Sequence, residues 1–201
     1  MQEKYKVGVI GAQLTDMAMQ PAGSYYSFPK FREALFDRYQ SLFSIVMRKA
    51  GLSRKDNTPS EKPGADGAVD YIIGADMFLE KAVFDKVNGF DEAFFMYFEE
   101  ADLQLRLAKE GYRHFLTPKT RIIHLEGGSH KTAEAKPDHV PNKRRIMIHV
   151  SRNLYFRKHL TKWQYFCYMF SEISLIPIRL LSPNHSLSDN IAFVKKCVLS
   201  L

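Results

Sequence analysis

The sequence predicts an α/β fold that gives way to helices after residue 141, and three observations carry that prediction. Short β-rich apolar runs stand at 6–10 (KVGVI), 69–73 (VDYII) and 121–124 (RIIH), each leading into a glycine-containing turn. Between them lie stretches whose apolar residues recur at helical spacing. Beyond Pro141 the pattern is helical to the end of the chain.

Taken in order, Lys6 to Ile10 reads as a buried strand that turns at Gly11, and Leu14 to Phe28 reads as loop, with Pro21, Gly23 and Ser24. A helix is expected from Lys30 to Met47, where Phe31, Leu35, Tyr39, Leu42 and Val46 share a face. Gly51 to Gly67, with Pro59, Pro63 and Gly64, reads as a polar surface loop. The strand Val69 to Ile73 enters Gly74, and a short helix from Glu80 to Val87 is capped by Asn88-Gly89. The next helix starts near Phe98 and ends at Gly111. A strand from Arg121 to His124 then meets the turn Gly127-Gly128. The final helical region is expected to break at Pro177 and Pro183, and no internal repeat is visible.

A chain of 201 residues supports one domain with a sizeable core. Aromatics reach 13%, which points to planar or apolar surfaces such as sugar platforms or a membrane interface. The net charge of +7 is unevenly distributed. Nine acidic residues fall between Asp76 and Glu110, against Lys81, Lys86, Arg106 and Lys109. Between His139 and Ser171 there is no acid at all, while Lys143, Arg144, Arg145, Arg152, Arg157, Lys158 and Lys162 stand there. Such a division implies separate tasks, one facing an anionic surface and one doing local chemistry. No nucleic-acid recognition motif accompanies the basic run, so nucleic acid is not expected as a partner. Cys167 and Cys197 lack metal-type spacing, and MQEKYKVGVIG has no apolar run of signal-peptide length; both point to a reduced, cytoplasmic setting.

The acidic centre is where chemistry is expected. Glu99, Glu100 and Asp102 occupy the first turn of a helix, at the positive end of its dipole. Glu99, Asp102 and Arg106 share one face, which predicts an Asp102–Arg106 pair. Glu100 instead lies on the stripe of Leu103 and Leu107, the inward face. A carboxylate there must line a cleft, find partners or hold its proton, and a tuned carboxylate in a cleft is what a general base requires. The competing reading is a helix-start glutamate that satisfies backbone amides. His124 ends a strand, either as a satisfied histidine or as a metal ligand; no second ligand stands nearby at metal spacing.

These motifs, read in order, resemble the C-terminal half of inverting family-two glycosyltransferases of the rhamnosyltransferase-like kind. The matching positions are Gly74-Ala75, Gly89-Phe90-Asp91-Glu92, Phe94-Phe95, Tyr97, Glu99, Asp102-Leu103, Arg106, Gly111-Tyr112 and His124. KVGVIGAQLTD also looks like the family's strand after its nucleotide-binding half, so the resemblance covers residues 5 to 160 or so. It implies an incomplete GT-A fold (nucleotide-diphospho-sugar transferase-like), comprising the acceptor-side half over 1–142 and a basic, aromatic helical tail over 143–201. Glu100 would be the catalytic base. Gly74, Ala75, Asp76, Phe95, Tyr97, Glu99, Asp102 and Arg106 would hold substrate. His124 would join a divalent metal, manganese or magnesium, that holds the donor diphosphate.

Two departures from the family pattern stand out. The family usually has Asp where this chain has Glu100, one methylene longer. Its N-terminal half with an Asp-x-Asp motif is absent, and no Asp-x-Asp occurs in the 201 residues. On the resemblance, the chain is therefore expected to be a fragment, a truncated reading frame or one piece of a split enzyme. The expected activity is transfer of a sugar, with inversion, from a nucleotide-sugar donor to a glycan or lipid-linked hydroxyl in cell-surface polysaccharide or lipopolysaccharide synthesis, with the isolated chain inactive. The alternative is a non-catalytic sugar-binding or scaffolding remnant. Trp163 to Leu181 is apolar but interrupted by Glu172, Pro177 and Arg179, short of the ~20 residues that span a bilayer. With the basic run before it, this segment is expected to lie on the anionic inner face of the cell membrane, or else to pack on the domain or on a second subunit.

Overall fold

A computed structural model of the chain describes residues 6–36, 67–125, 142–180 and 186–200. The fold is mixed α/β with a helical C-terminal region. Its described residues divide into two compact units: 6–28 with 67–125, and 29–36 with 142–180 and 186–200.

In the first unit, β1 (Lys6–Thr15) runs parallel to β5 (Tyr112–Ile123), and β3 (Ala68–Val69) pairs antiparallel with β5, in the order β1-β5-β3. A second small sheet joins β2 (Tyr25–Tyr26) to β4 (Tyr71–Ile72). Two helices complete the unit, α1 (Lys81–Lys86) and α2 (Glu99–Lys109).

Three expectations for the strands are corrected. The first strand does not turn at Gly11 but continues to Thr15. Gly11 is there for a close approach, since a Cβ would collide with Ile72 Cγ2 and lie 3.1 Å from the Asp76 carbonyl. The run at 69–73 is two strands in two sheets, parted at Asp70, whose Oδ2 accepts the Phe28 N–H at 2.9 Å. The strand ending at His124 begins at Tyr112 rather than Arg121. Ala12 pairs with Thr117 and Gln13 with Arg121, so residues 118–120 bulge out, and Pro118 sits where no ladder donor is required.

The core of this unit is Val9, Ile72, Val83, Leu103, Leu107 and Leu116. Leu103 and Leu107 are fully buried, as the stripe on α2 predicts. Each such leucine stabilises the fold by roughly 1.5–3 kcal/mol through burial, which is what holds α2 against the sheets.

The second unit contains α3 (Asn142–His159), α4 (Lys162–Ser174), α5 (Ile176–Leu180) and α6 (Leu187–Leu199), with residues 31–36 also helical. The break between α3 and α4 comes at Thr161, which forms a capping box with Gln164. The break expected at Pro177 falls at Leu175, where α4 ends, and Pro177 itself lies in the first turn of α5, where a missing N–H leaves no bond unmade. Tyr155, Phe156, Tyr168, Phe193 and Cys197 form the buried interior. Inside it, Asn153 accepts from the Tyr168 hydroxyl at 2.5 Å and donates to Ser200 Oγ at 2.8 Å. Among the described residues no helix is long and apolar enough to cross a membrane. The rest of the helix expected at 30–47, the polar loop before Gly67, the Gly127-Gly128 turn and the break at Pro183 lie outside the described residues.

Candidate functional site

The chain prepares the start of α2 with strained backbone. Asp91 caps its own turn, accepting the Ala93 and Phe94 N–H groups at 3.0 Å each, so that Phe94 is buried and Phe95 is left 82% exposed. Tyr97 and Phe98 then both take left-handed backbone, at φ 70° and 67°. Non-glycine residues held this way cost on the order of 1–3 kcal/mol each and collect at functional sites. Here they turn the chain so that Glu99 and Glu100 open the helix.

Asp102 and Arg106 hold that arrangement in place. Asp102 is fully buried and bonds Arg106 at 2.8 Å and 2.9 Å. Arg106 also donates to the Gly89 carbonyl at 2.7 Å and to the Val87 carbonyl. One guanidinium thus ties α2 to the turn after α1, where Asn88 and Gly89 have positive φ. In this geometry Asp102 is closed to any substrate and acts as an anchor.

Glu100 is half-buried, and its Oε2 is enclosed with no hydrogen-bond partner among the described residues. Burial pushes its carboxyl above the usual range. Backbone hydrogen bonds from its own position, Gly74 and Ala101 pull the other way, and Glu99 adds to the rise. Gly74 is the close neighbour, for a Cβ there would lie 3.9 Å from Glu100 Cβ. Gly74 and Ala75 are exposed, whereas Asp76 turns back and accepts the Ala12 N–H at 2.5 Å, fixing this turn to β1. Tyr71 joins the same neighbourhood. Its hydroxyl is held protonated well above the ordinary phenol range by burial, then by the charge of Glu100 and by Tyr26. The Tyr71 ring stacks on Phe28 with centroids 5.7 Å apart.

His124 is half-buried at the end of β5, its backbone N–H donating to the Thr15 carbonyl at 2.9 Å. No three His, Cys, Asp or Glu side chains converge among the described residues. His124 therefore offers one ligand, and the described residues do not by themselves make a metal site.

Sequence reasoning missed three residues that build this region. Gln104 pairs like a strand with Ile72, accepting its N–H at 2.9 Å and donating to its carbonyl at 2.7 Å, and also donates to the Glu100 carbonyl at 3.2 Å. His114 accepts the Val9 N–H at 3.2 Å, and its other nitrogen meets the Gln104 carbonyl at 3.0 Å. Burial drives its pKa down to about 4, so it is a neutral structural ring. Tyr71 is the third. The offset of four between Glu100 and Gln104 was the one available signal, since it places a second polar group beside the inward stripe. A cavity of about 390 Å³, lined by Tyr25, Tyr26, Phe28, Asp70, Arg113 and His114 among others, does not include Glu100. It reaches Ala108, about 12 Å along α2 from the carboxylate.

No protein-family model matches the chain. Individual proteins do. The rhamnosyltransferase WbbL of Escherichia coli is 40% identical over 80 residues, covering 40% of this chain and 30% of that protein. The N-acetylglucosaminyl-diphospho-decaprenol L-rhamnosyltransferase of Mycobacterium tuberculosis is 33% identical over 82 residues, or 41% of this chain and 24% of that protein. The O-antigen biosynthesis protein RfbC of Myxococcus xanthus is 37% identical over 67 residues, 33% of this chain and 5% of that protein. The matched stretches span less than a third of each relative's length, and over them this chain is similar to rhamnosyltransferase-like glycosyltransferases.

Proposed function

We propose that these residues form the acceptor-side, catalytic-base part of an inverting glycosyltransferase of GT-A fold, acting in cell-envelope polysaccharide synthesis. The observation that carries the reading is Glu100: a carboxylate with one enclosed, unbonded oxygen, raised by burial and presented by a strained helix start beside exposed Gly74-Ala75. A carboxylate whose pKa burial has raised accepts a proton more readily than an ordinary one. In the proposed step, Glu100 takes the proton of an acceptor hydroxyl as that oxygen bonds to the anomeric carbon of a nucleotide sugar. The bond from that carbon to the diphosphate breaks on the opposite side, the electron pair leaves with the diphosphate, and configuration inverts.

Around the base, Gly74 and Ala75 leave room for the sugar, and Asp76 holds their turn to β1. Phe95 offers an exposed ring as a platform, and Tyr97 and Glu99 set the approach to Glu100. A divalent ion, manganese or magnesium, would offset charge on the departing diphosphate, with His124 as one ligand and the others supplied by an Asp-x-Asp these residues lack. The names of the relatives support an L-rhamnosyl donor and a diphospho-polyprenol-linked acceptor. They favour this reading over a non-catalytic sugar-binding module. A lipid-linked acceptor agrees with a peripheral position on the anionic inner face of the membrane.

The test is turnover of nucleotide sugar by a full-length enzyme carrying this segment. Glu100→Gln should keep donor binding and lose about 10²-fold or more in kcat, and Glu100→Asp should retain part of the activity. Wild-type turnover by Glu100→Gln, beside a folded but dead Asp102→Asn, would move the base to Asp102 and overturn the assignment.

A further inference from the structure

We propose that α4 is the element that enters the membrane, lying flat in the headgroup–acyl boundary of an anionic bilayer with Trp163, Phe166, Phe170 and Ile173 submerged. This rests on the membrane-surface position proposed above, and adds which face enters and how far. The four side chains are 71%, 54%, 66% and 50% exposed. At offsets of 0, 3, 7 and 10 they fall within about 80° of the helix circumference. On the opposite side Tyr168, Ser171 and Glu172 are buried in the helical unit. A contiguous stripe of four large apolar groups, three of them aromatic, is a surface that needs a partner.

Charge identifies the partner. Of residues 142–200, only Glu172 and Asp189 are acidic. Glu172 is turned inward, its Oε2 2.6 Å from Arg179 and 2.9 Å from His149 Nε2, with Arg152 at 3.6 Å from Oε1. It neighbours Ile173 in sequence yet points away from the stripe, so the exposed face carries no negative charge. Asp189 sits in the first turn of α6, bonded to Ser186 Oγ at 2.7 Å. Within residues 142–200 the exposed charges are Lys143, Arg144, Arg157, Lys158, Lys162, Lys195 and Lys196, and residues 29–36 of the same unit add Lys30, Arg32 and Glu33. An aromatic stripe on a helical unit whose exposed charge is mostly cationic complements anionic lipid, whose headgroups meet the cations while the rings enter the boundary to about 5–10 Å. As no described helix is long and apolar enough to cross, the insertion is in-plane.

The chain carries its own probe, because Trp163 is its single tryptophan. The full chain is mixed with vesicles of phosphatidylcholine and phosphatidylglycerol, and with phosphatidylcholine alone. On the mixed vesicles Trp163 emission should shift to the blue, and acyl-brominated lipid should quench it. Replacing Phe166 and Phe170 together by Ser should weaken partitioning roughly tenfold or more, given the apolar area withdrawn, with helical circular dichroism unchanged. Ile191→Ser, on the exposed face of α6, should leave it within about twofold. Trp163 emission unmoved by vesicles, quenching absent, or wild-type partitioning by the double variant would each overturn the proposal. A blue shift that grows with protein concentration in the absence of lipid would also overturn it, by making a second copy the occupant. Since no nucleotide sugar enters the experiment, its failure leaves the transferase reading standing.

Discussion

At the scale of single residues, the base proposed at Glu100 is also a source of instability. Its folded-state pKa lies above the ordinary value because burial opposes the charge. The sign follows. Above the folded pKa the carboxylate is ionised in a place that disfavours it, and the fold is less stable for it; below the unfolded pKa it is neutral in both states, and the penalty vanishes. Glu100→Gln should therefore raise the melting temperature at pH 7 to 8, and the gain should shrink as pH falls through the carboxylate range. Thermal unfolding of the two proteins across pH checks this. A constant difference at all pH values would mean that Glu100 is not held against its charge. The motif made Glu100 legible in the sequence. What it could not show was the unbonded Oε2, or the nearness of Gly74 and Tyr71, because those come from β4 and the turn after it.

At the scale of elements, the device that aims Glu100 is the clamp made by Arg106. Spacing of four along α2 predicted its pairing with Asp102, and nothing local could predict that the same guanidinium would reach the carbonyls of Val87 and Gly89. Removing it leaves a fully buried carboxylate without its cation. Arg106→Ala should lower stability by about 3 kcal/mol or more, the scale for stripping one partner from a buried pair, as read by urea unfolding. Arg106→Lys should recover only part, since an ammonium cannot replace the planar fork. A loss under about 1 kcal/mol would show that the turn after α1 is held by other contacts.

At the scale of the whole molecule, both units hide neutral histidines, and the fold should be acid-sensitive as a result. Burial lowers His114 from 6.5 to about 4. The same happens to His149, where burial outweighs the attraction of Glu172, and Arg152 and Arg179 add to the lowering. With folded values depressed, this stability is complete above the unfolded value of 6.5 and is lost as pH falls toward 4. The contribution of His114 is on the order of 3 kcal/mol. Melting temperature should fall steeply between pH 6.5 and 4, and less steeply in His114→Gln. Equal slopes in the two proteins would show that His114 ionises in the folded state without penalty.

By itself the sequence determined the α/β character, the inward stripe of α2, the place of Glu100 and the Asp102–Arg106 pair. Each of these depends on residues within a helical turn or on an ordered motif, and local periodicity records such things. Tertiary structure alone decided the course of the strands. Gly11 reads as a turn until Ile72 is seen to occupy the space of its missing side chain, and the last strand reads as beginning at Arg121 until the neighbours of Pro118 are seen to pair on both sides of a bulge. It also decided which way Glu172 points. Along the chain that residue interrupts an apolar segment. In the fold, Arg179, Arg152 and His149 draw it inward from α5 and α3, and the opposite face of α4 is left without a negative charge. Packing between elements distant in sequence made those choices, and no window along the chain contains them.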